Sequence, residues 1–123
     1  MSERRGIEGL RILLVEDEPI IAMTAEDMLD ALGCTVVASA ATLDDALAAT
    51  TAGGFDLAML DINLNGVASL DVADALKAAG TPFIFTTGYG AEGSGSHRDV
   101  PLVTKPYRLT DLEDALASAV SGR

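Results

Sequence analysis

Three observations predict an α/β domain built on a doubly wound parallel sheet of five strands. Short apolar runs alternate with amphipathic segments of helical period, and glycine closes each of the first three helical patterns. The most apolar runs are the first, third and fourth, as expected for strands covered on both faces, while the second and fifth are more polar and suit the edges. With right-handed crossovers this ranking matches the strand order 2-1-3-4-5.

The first strand starts near Arg11 and runs through Ile12-Leu13-Leu14-Val15. The helix after it opens at Pro19, a residue preorganised for a first helical position. Ile21, Ala25, Met28 and Leu32 share one face, with Glu26, Asp27 and Asp30 projecting elsewhere, and Gly33 ends the pattern. Thr35-Val36-Val37-Ala38 is the second strand. Thr42 caps a second helix that continues through Leu47 to Gly53-Gly54. Phe55 to Leu60 is the third strand, Leu70 to Ala79 the third helix, Gly80 its stop, and Pro82-Phe83-Ile84-Phe85 the fourth strand. Gly88 to Gly95 holds four glycines in eight residues, each costing about 1 kcal/mol against alanine in a helix, so a fourth helix here is short or mobile. Leu102-Val103 marks the fifth strand. Thr110-Asp111-Leu112-Glu113 has the capping-box pattern before a last helix with Leu112, Leu116, Ala119 and Val120 on one face.

The 123 residues suit one domain spanning 1–123, and an apolar fraction of 49% with mean hydropathy +0.31 excludes a disordered chain. Apolar runs of about four residues are far short of the roughly 20 that a membrane span needs. Nineteen acids against eight bases give a net charge of −11, a field that repels nucleic-acid phosphates and anionic membranes. Cys34 is the only thiol, so no internal disulfide forms, and no signal-like apolar stretch follows Arg4-Arg5. The expected location is the cytoplasm.

In a sheet of this order, ligands sit at the carboxyl ends of the strands flanking the point where the winding reverses, here strands one and three. Strand one ends Val15-Glu16-Asp17-Glu18-Pro19 and strand three ends Leu60-Asp61-Ile62-Asn63-Leu64-Asn65-Gly66. Glu18 is explained by its place at a helix start. Glu16, Asp17 and Asp61 converge from positions about 45 apart, and like charges in one cleft cost stability unless a cation joins them. Hard carboxylate oxygens suit Mg²⁺, not zinc, since neither Cys34 nor His97 stands at a strand end. An exposed aspartate beside such an ion is equipped to receive a phosphoryl group. Strand four ends Thr86-Thr87-Gly88 and strand five Thr104-Lys105-Pro106, adding a hydroxyl and an ammonium to the same rim. His97, between Ser96 and Arg98, reads as a solvated loop residue, and the methionines and phenylalanines as packing.

The acidic pair Glu16-Asp17, then Asp61, Thr87-Gly88 and Lys105-Pro106 together resemble the receiver domain of bacterial two-component response regulators, over about residues 9–121. The resemblance implies a flavodoxin-like (βα)5 fold and Asp61 as the phosphoacceptor. Asp17, with Glu16 through water and the backbone carbonyl of Asn63, would hold Mg²⁺. Thr87 and Lys105 would contact the phosphoryl oxygens. The donor would be a sensor histidine kinase or a histidine phosphotransfer protein. Output would be contact with a downstream protein or drainage of phosphate from a shared kinase, with Mg²⁺-dependent autodephosphorylation and no metabolic activity. Neither nucleic acid nor membrane is an expected partner.

Pro82-Phe83-Ile84-Phe85-Thr86-Thr87-Gly88-Tyr89 is also similar to the signature of the "FAT GUY" receivers of alphaproteobacteria, with Thr86 in place of alanine. Two positions depart from the wider family. Asn65 stands where a proline is usual, and Asn65-Gly66 reads as a flexible turn. Leu102 stands where many receivers carry an aromatic switch residue. The stretch from Gly88 to Pro101 is the expected mobile element, with Tyr89 able to pack inward on phosphorylation. A phosphohydrolase is disfavoured because Asn63 occupies the position of the second aspartate that such enzymes use in proton transfer. A cofactor binder is disfavoured because three acids replace a phosphate-cradling loop. The remaining alternative is a docking module on the same fold that works without phosphorylation.

Overall fold

Strands β1 (Arg11–Val15), β2 (Thr35–Ala40), β3 (Leu57–Asp61), β6 (Phe83–Thr87) and β7 (Leu102–Thr104) form one parallel sheet in the order β2-β1-β3-β6-β7. Two further strands, β4 (Asn63–Leu64) and β5 (Val67–Ala68), pair only with each other, so the five parallel strands follow the expected order. The helices are α1 (Pro19–Ala31), α2 (Leu43–Ala52), α3 (Leu70–Ala78) and α4 (Leu109–Ser121). This computed structural model describes residues 6–88, 97 and 99–121. The expectations for a short or mobile fourth helix and for Tyr89 fall on residues outside the described ones.

All five side chains of β3 and of β6 are buried, whereas edge strand β2 alternates between exposed and half-buried positions up to the buried Ala40. Two cores result, one on each face. Ile12, Leu14, Leu29, Met59, Ile84, Leu112 and Leu116 pack on the face covered by α1 and α4. Leu13, Leu60, Leu64, Val72, Leu76, Phe83 and Phe85 pack on the face covered by α2 and α3. Among the described residues, no helix is long and apolar enough to cross a membrane.

Local signals read from the sequence recur in the structure. Thr42 accepts a hydrogen bond from the Asp45 amide at 3.1 Å and caps α2, while Pro19 opens α1 behind Glu18. Gly33 follows α1 with φ +85°, and a Cβ there would meet the Glu8 side chain at 2.6 Å, so both conformation and space demand glycine.

Two expectations need correction. Helix α4 begins at Leu109, with the Leu112 amide donating to the Arg108 carbonyl at 3.0 Å, so Thr110 lies inside the first turn and is not the cap. His97 is buried, only 3% exposed, and not solvated. Its ring meets Phe83 and Phe85 edge-to-face, with centroids 5.8 and 6.2 Å away. Its Nε2 lies 2.8 Å from Asp74 Oδ1 on α3. A polar neighbourhood in sequence gave no hint of this, because the ring's partners come from β6 and α3.

Candidate functional site

The carboxyl ends of β1, β3, β6 and β7 bring Glu16, Asp17, Asp61, Thr87 and Lys105 to one rim of the sheet. Glu16, Asp17 and Asp61 each offer an oxygen to a cluster in which these atoms lie within 4.8 Å of one another. Glu16 and Asp61 are each 4% exposed, and Asp17 is half-buried. Strand geometry explains the convergence. Val15 pairs with Leu60, so the residues that follow, Glu16 and Asp61, leave neighbouring strands at the same level. Asp61 in turn pairs with Thr86, which places Thr87 just beyond it.

Backbone donors hold the acids. The Glu18 amide donates to Glu16 Oε2 at 3.1 Å, and the Asn63 amide to Asp61 Oδ1 at 3.2 Å. The Ser69 hydroxyl donates to the Asp61 carbonyl at 2.6 Å, fixing the backbone of the strand end from the start of α3. Lys105 supplies the cation: its Nζ lies 2.9 Å from both Glu16 Oε1 and Asp61 Oδ2. Its own amide donates to the Thr87 carbonyl at 2.8 Å, tying the β7 end to the β6 end.

The charges are unequal, three carboxylates to one ammonium. Burial pushes the Glu16 carboxyl above its usual range, opposed by hydrogen bonds from Lys105 and the Glu18 amide, while the Asp61 charge adds to the rise. Burial works against a charged Lys105, but its hydrogen bonds to Asp61 and Glu16 more than offset that, and the ammonium titrates above its ordinary value. A hard oxygen cluster with surplus negative charge fits a small divalent cation such as Mg²⁺. Asp17 is the acid best placed to take it: Lys105 bridges the other two, and only one Asp17 oxygen has a hydrogen bond among the described residues.

That bond comes from the β4–β5 hairpin. Asn65 and Gly66, expected to be a flexible turn, form the tip of the β4–β5 hairpin with φ 54° and 83°. Such paired positive φ values are what a two-residue hairpin turn requires, and Asn-Gly is its strongest sequence signal. The Asn63 side chain braces the tip, accepting from the Gly66 amide at 2.7 Å. The Asn65 amide donates to Asp17 Oδ2 at 3.1 Å. A proline at this position has neither the N–H nor the φ to do this. The departure from the family pattern at Asn65 thus gives Asp17 a fixed partner.

The family model for the response regulator receiver domain matches residues 12–117, a span that includes the five rim residues. This chain belongs to the response regulator receiver family. It is 34% identical over 114 residues to the phyllosphere-induced regulator PhyR of Methylorubrum extorquens, covering 89% of this chain and 43% of that protein. The chain therefore spans less than half the length of this curated relative. The solution structure of SdrG from Sphingomonas melonis superposes with TM-score 0.82 at 43% identity, covering 91% of this chain and 97% of that one. The BeF3-activated conformation of SdrG superposes with TM-score 0.75 at 42% identity, over 96% of this chain and 98% of that one. The receiver is thus a two-component signalling module that resembles the alphaproteobacterial FAT GUY proteins, and its relatives are regulators rather than metabolic enzymes.

Proposed function

We propose that this receiver accepts a phosphoryl group from a phosphohistidine donor onto Asp61, with Mg²⁺ held by Asp17, by Glu16 through water, and by the backbone carbonyl of Asn63. The observation that carries the reading is the Lys105 ammonium 2.9 Å from a buried Asp61 carboxylate in a pocket that still holds surplus negative charge. In the transfer, an Asp61 oxygen attacks phosphorus in line. The P–O bond forms as the P–N bond to the donor imidazole breaks, and the electron pair returns to the ring nitrogen. Lys105 swings from two carboxylates to the arriving phosphoryl oxygens, and the Thr87 hydroxyl binds another of them. Mg²⁺ supplies charge neutralisation on the transferring oxygens. Attack of water on the same phosphorus later restores Asp61 and releases phosphate.

The surroundings suit a protein donor. Ile20 and Met23 on α1, Val67 on the hairpin and Leu109 at the start of α4 are large apolar side chains left 78%, 63%, 50% and 40% exposed. Each stands on an element that starts at, or touches, the rim of the pocket. The donor is a histidine kinase or histidine phosphotransfer protein, and the output is contact with another protein. Drainage of phosphate from a shared kinase uses the same chemistry.

The test is intact mass after incubation with acetyl phosphate and Mg²⁺. The expected result is the gain of one phosphoryl group, prevented when EDTA is present from the start and absent in Asp61→Asn. A protein that gains none from acetyl phosphate or from a phosphohistidine donor is a docking module, and the proposal falls.

A further inference from the structure

The hairpin that follows Asp61 is tied to the fold at its base, its middle and its tip. At the base, the Ser69 amide donates to the Ile62 carbonyl at 2.7 Å and the Ser69 hydroxyl to the Asp61 carbonyl at 2.6 Å. In the middle, Leu64 is fully buried in the core shared by α2 and α3. At the tip, the Asn63 side chain accepts from the Gly66 amide at 2.7 Å, and the Asn65 amide donates to Asp17 Oδ2 at 3.1 Å. That last bond joins residues 48 apart in sequence.

One short segment therefore holds two acids that leave different strands. The Asn63 amide donates to Asp61 Oδ1, and the Asn65 amide to Asp17 Oδ2. Asp17 depends on this support more than its neighbours do. Glu16 and Asp61 are buried and share Lys105, whereas Asp17 is half-buried and makes no ion pair among the described residues. A carboxylate free to turn has to be ordered when an ion binds, and that ordering weakens the affinity. With Oδ2 held by the hairpin, the fold has already imposed the order.

We infer that the hairpin tip positions Asp17 for the divalent ion: the Asn65 N–H, steadied by the Asn63 side chain, fixes the carboxylate before the ion arrives. Asn65 is a positioning residue that acts through Asp17 and gives the ion no ligand of its own. The inference rests on the proposed Mg²⁺ site, and its test reads the ion alone, without phosphoryl transfer.

Mg²⁺ is titrated into the full chain, and the amide NMR shifts of residues 61 to 63 give its dissociation constant. Asn65→Gly is the reference, since it keeps the N–H and tolerates the positive φ. The same variant with an ester in place of the 64–65 amide loses only that N–H. It binds Mg²⁺ roughly three- to tenfold more weakly than the reference, the effect of leaving one side chain to be ordered on binding. Asn63→Ala, which frees the tip and keeps the backbone carbonyl, weakens binding in the same direction. Adding Asn63→Ala to the ester costs nothing more, because the brace works through the missing N–H. Before any ion is added, the amide proton of residue 65 moves upfield in Asp17→Ala, as expected when its carboxylate acceptor is removed.

Equal affinities for the ester and its amide reference overturn the inference and leave the Mg²⁺ site intact. So does an amide proton of residue 65 that stays in place in Asp17→Ala, or a combined loss that is the product of the two separate ones. An Asp17→Asn protein that binds Mg²⁺ as the parent does overturns the assignment of the ion to Asp17, and the inference with it.

Discussion

The sheet carries an ion-paired site at each end, and the two are built on opposite terms. At the amino end, Arg11 at the start of β1 meets Asp56 just before β3. Its guanidinium nitrogens lie 3.2 and 2.9 Å from the two carboxylate oxygens, and its own amide is 2.8 Å from one of them. One cation meets one anion, and both are substantially exposed, at 55% and 34%. At the carboxyl end three acids share one lysine, and Glu16 and Asp61 are nearly inaccessible. The first site is neutral and solvated, so it contributes little and does nothing further. The second keeps an imbalance that burial makes costly, and a cation or a phosphoryl group with its ion can relieve it. Where charge is balanced the fold is merely closed; where it is not, the fold is ready to bind.

The sharpest way to break this comparison is to remove the single cation from each site. Lys105→Met strands Glu16 and Asp61 without their partner and should destabilise the metal-free protein by about 3 kcal/mol, read as a loss in urea unfolding. The same variant should bind Mg²⁺ more tightly, because the competing ammonium is gone. An unchanged unfolding midpoint would mean that Lys105 is not compensating the acids.

A second prediction concerns the imbalance itself. Mg²⁺ at about 100 times its dissociation constant should stabilise the parent by roughly 2.7 kcal/mol. Asp17→Asn should lose most of that response while being no less stable without metal. Equal responses in the two proteins would place the ion elsewhere.

Smaller still is the effect of pH on the pocket. Burial raises the Glu16 carboxyl, so the folded state holds that proton more tightly than the unfolded chain does. Its contribution is therefore present at acid pH and is lost as pH rises through the folded value. Glu16→Gln should give a small rise in the melting temperature of the metal-free protein at neutral pH, and the gain should vanish on acidification. A gain that is constant with pH would point to packing and not to charge. The least effect belongs to Arg11→Ala, a shift in melting temperature that high salt abolishes in the parent as well.

How much of this was legible beforehand differs by region. The sheet order followed from the ranking of apolar runs, because a strand buried on both faces has to be apolar on both. The convergence of Glu16, Asp17 and Asp61 followed from that order, since strand ends at the reversal point are neighbours whatever their separation in sequence. The burial of His97 is illegible for the complementary reason. Its burial depends on Phe83, Phe85 and Asp74, contributed by two other elements, and nothing within a few residues of it carries that information. The hairpin was legible in part: Asn65-Gly66 marks a turn, but only the fold shows that its tip amide reaches Asp17.

By itself, the sequence determined which residues are apolar enough to form the sheet, in what order the strands lie, and therefore which acids meet at its rim. Those are properties of period and position, and they survive small errors in packing. Tertiary structure alone decided which oxygens Lys105 bridges, that the Asn65 amide braces Asp17, and that His97 meets Asp74. Hydrogen bonds act over about 3 Å and depend on direction, so they are set by how the elements settle against one another and leave no periodic trace in the chain.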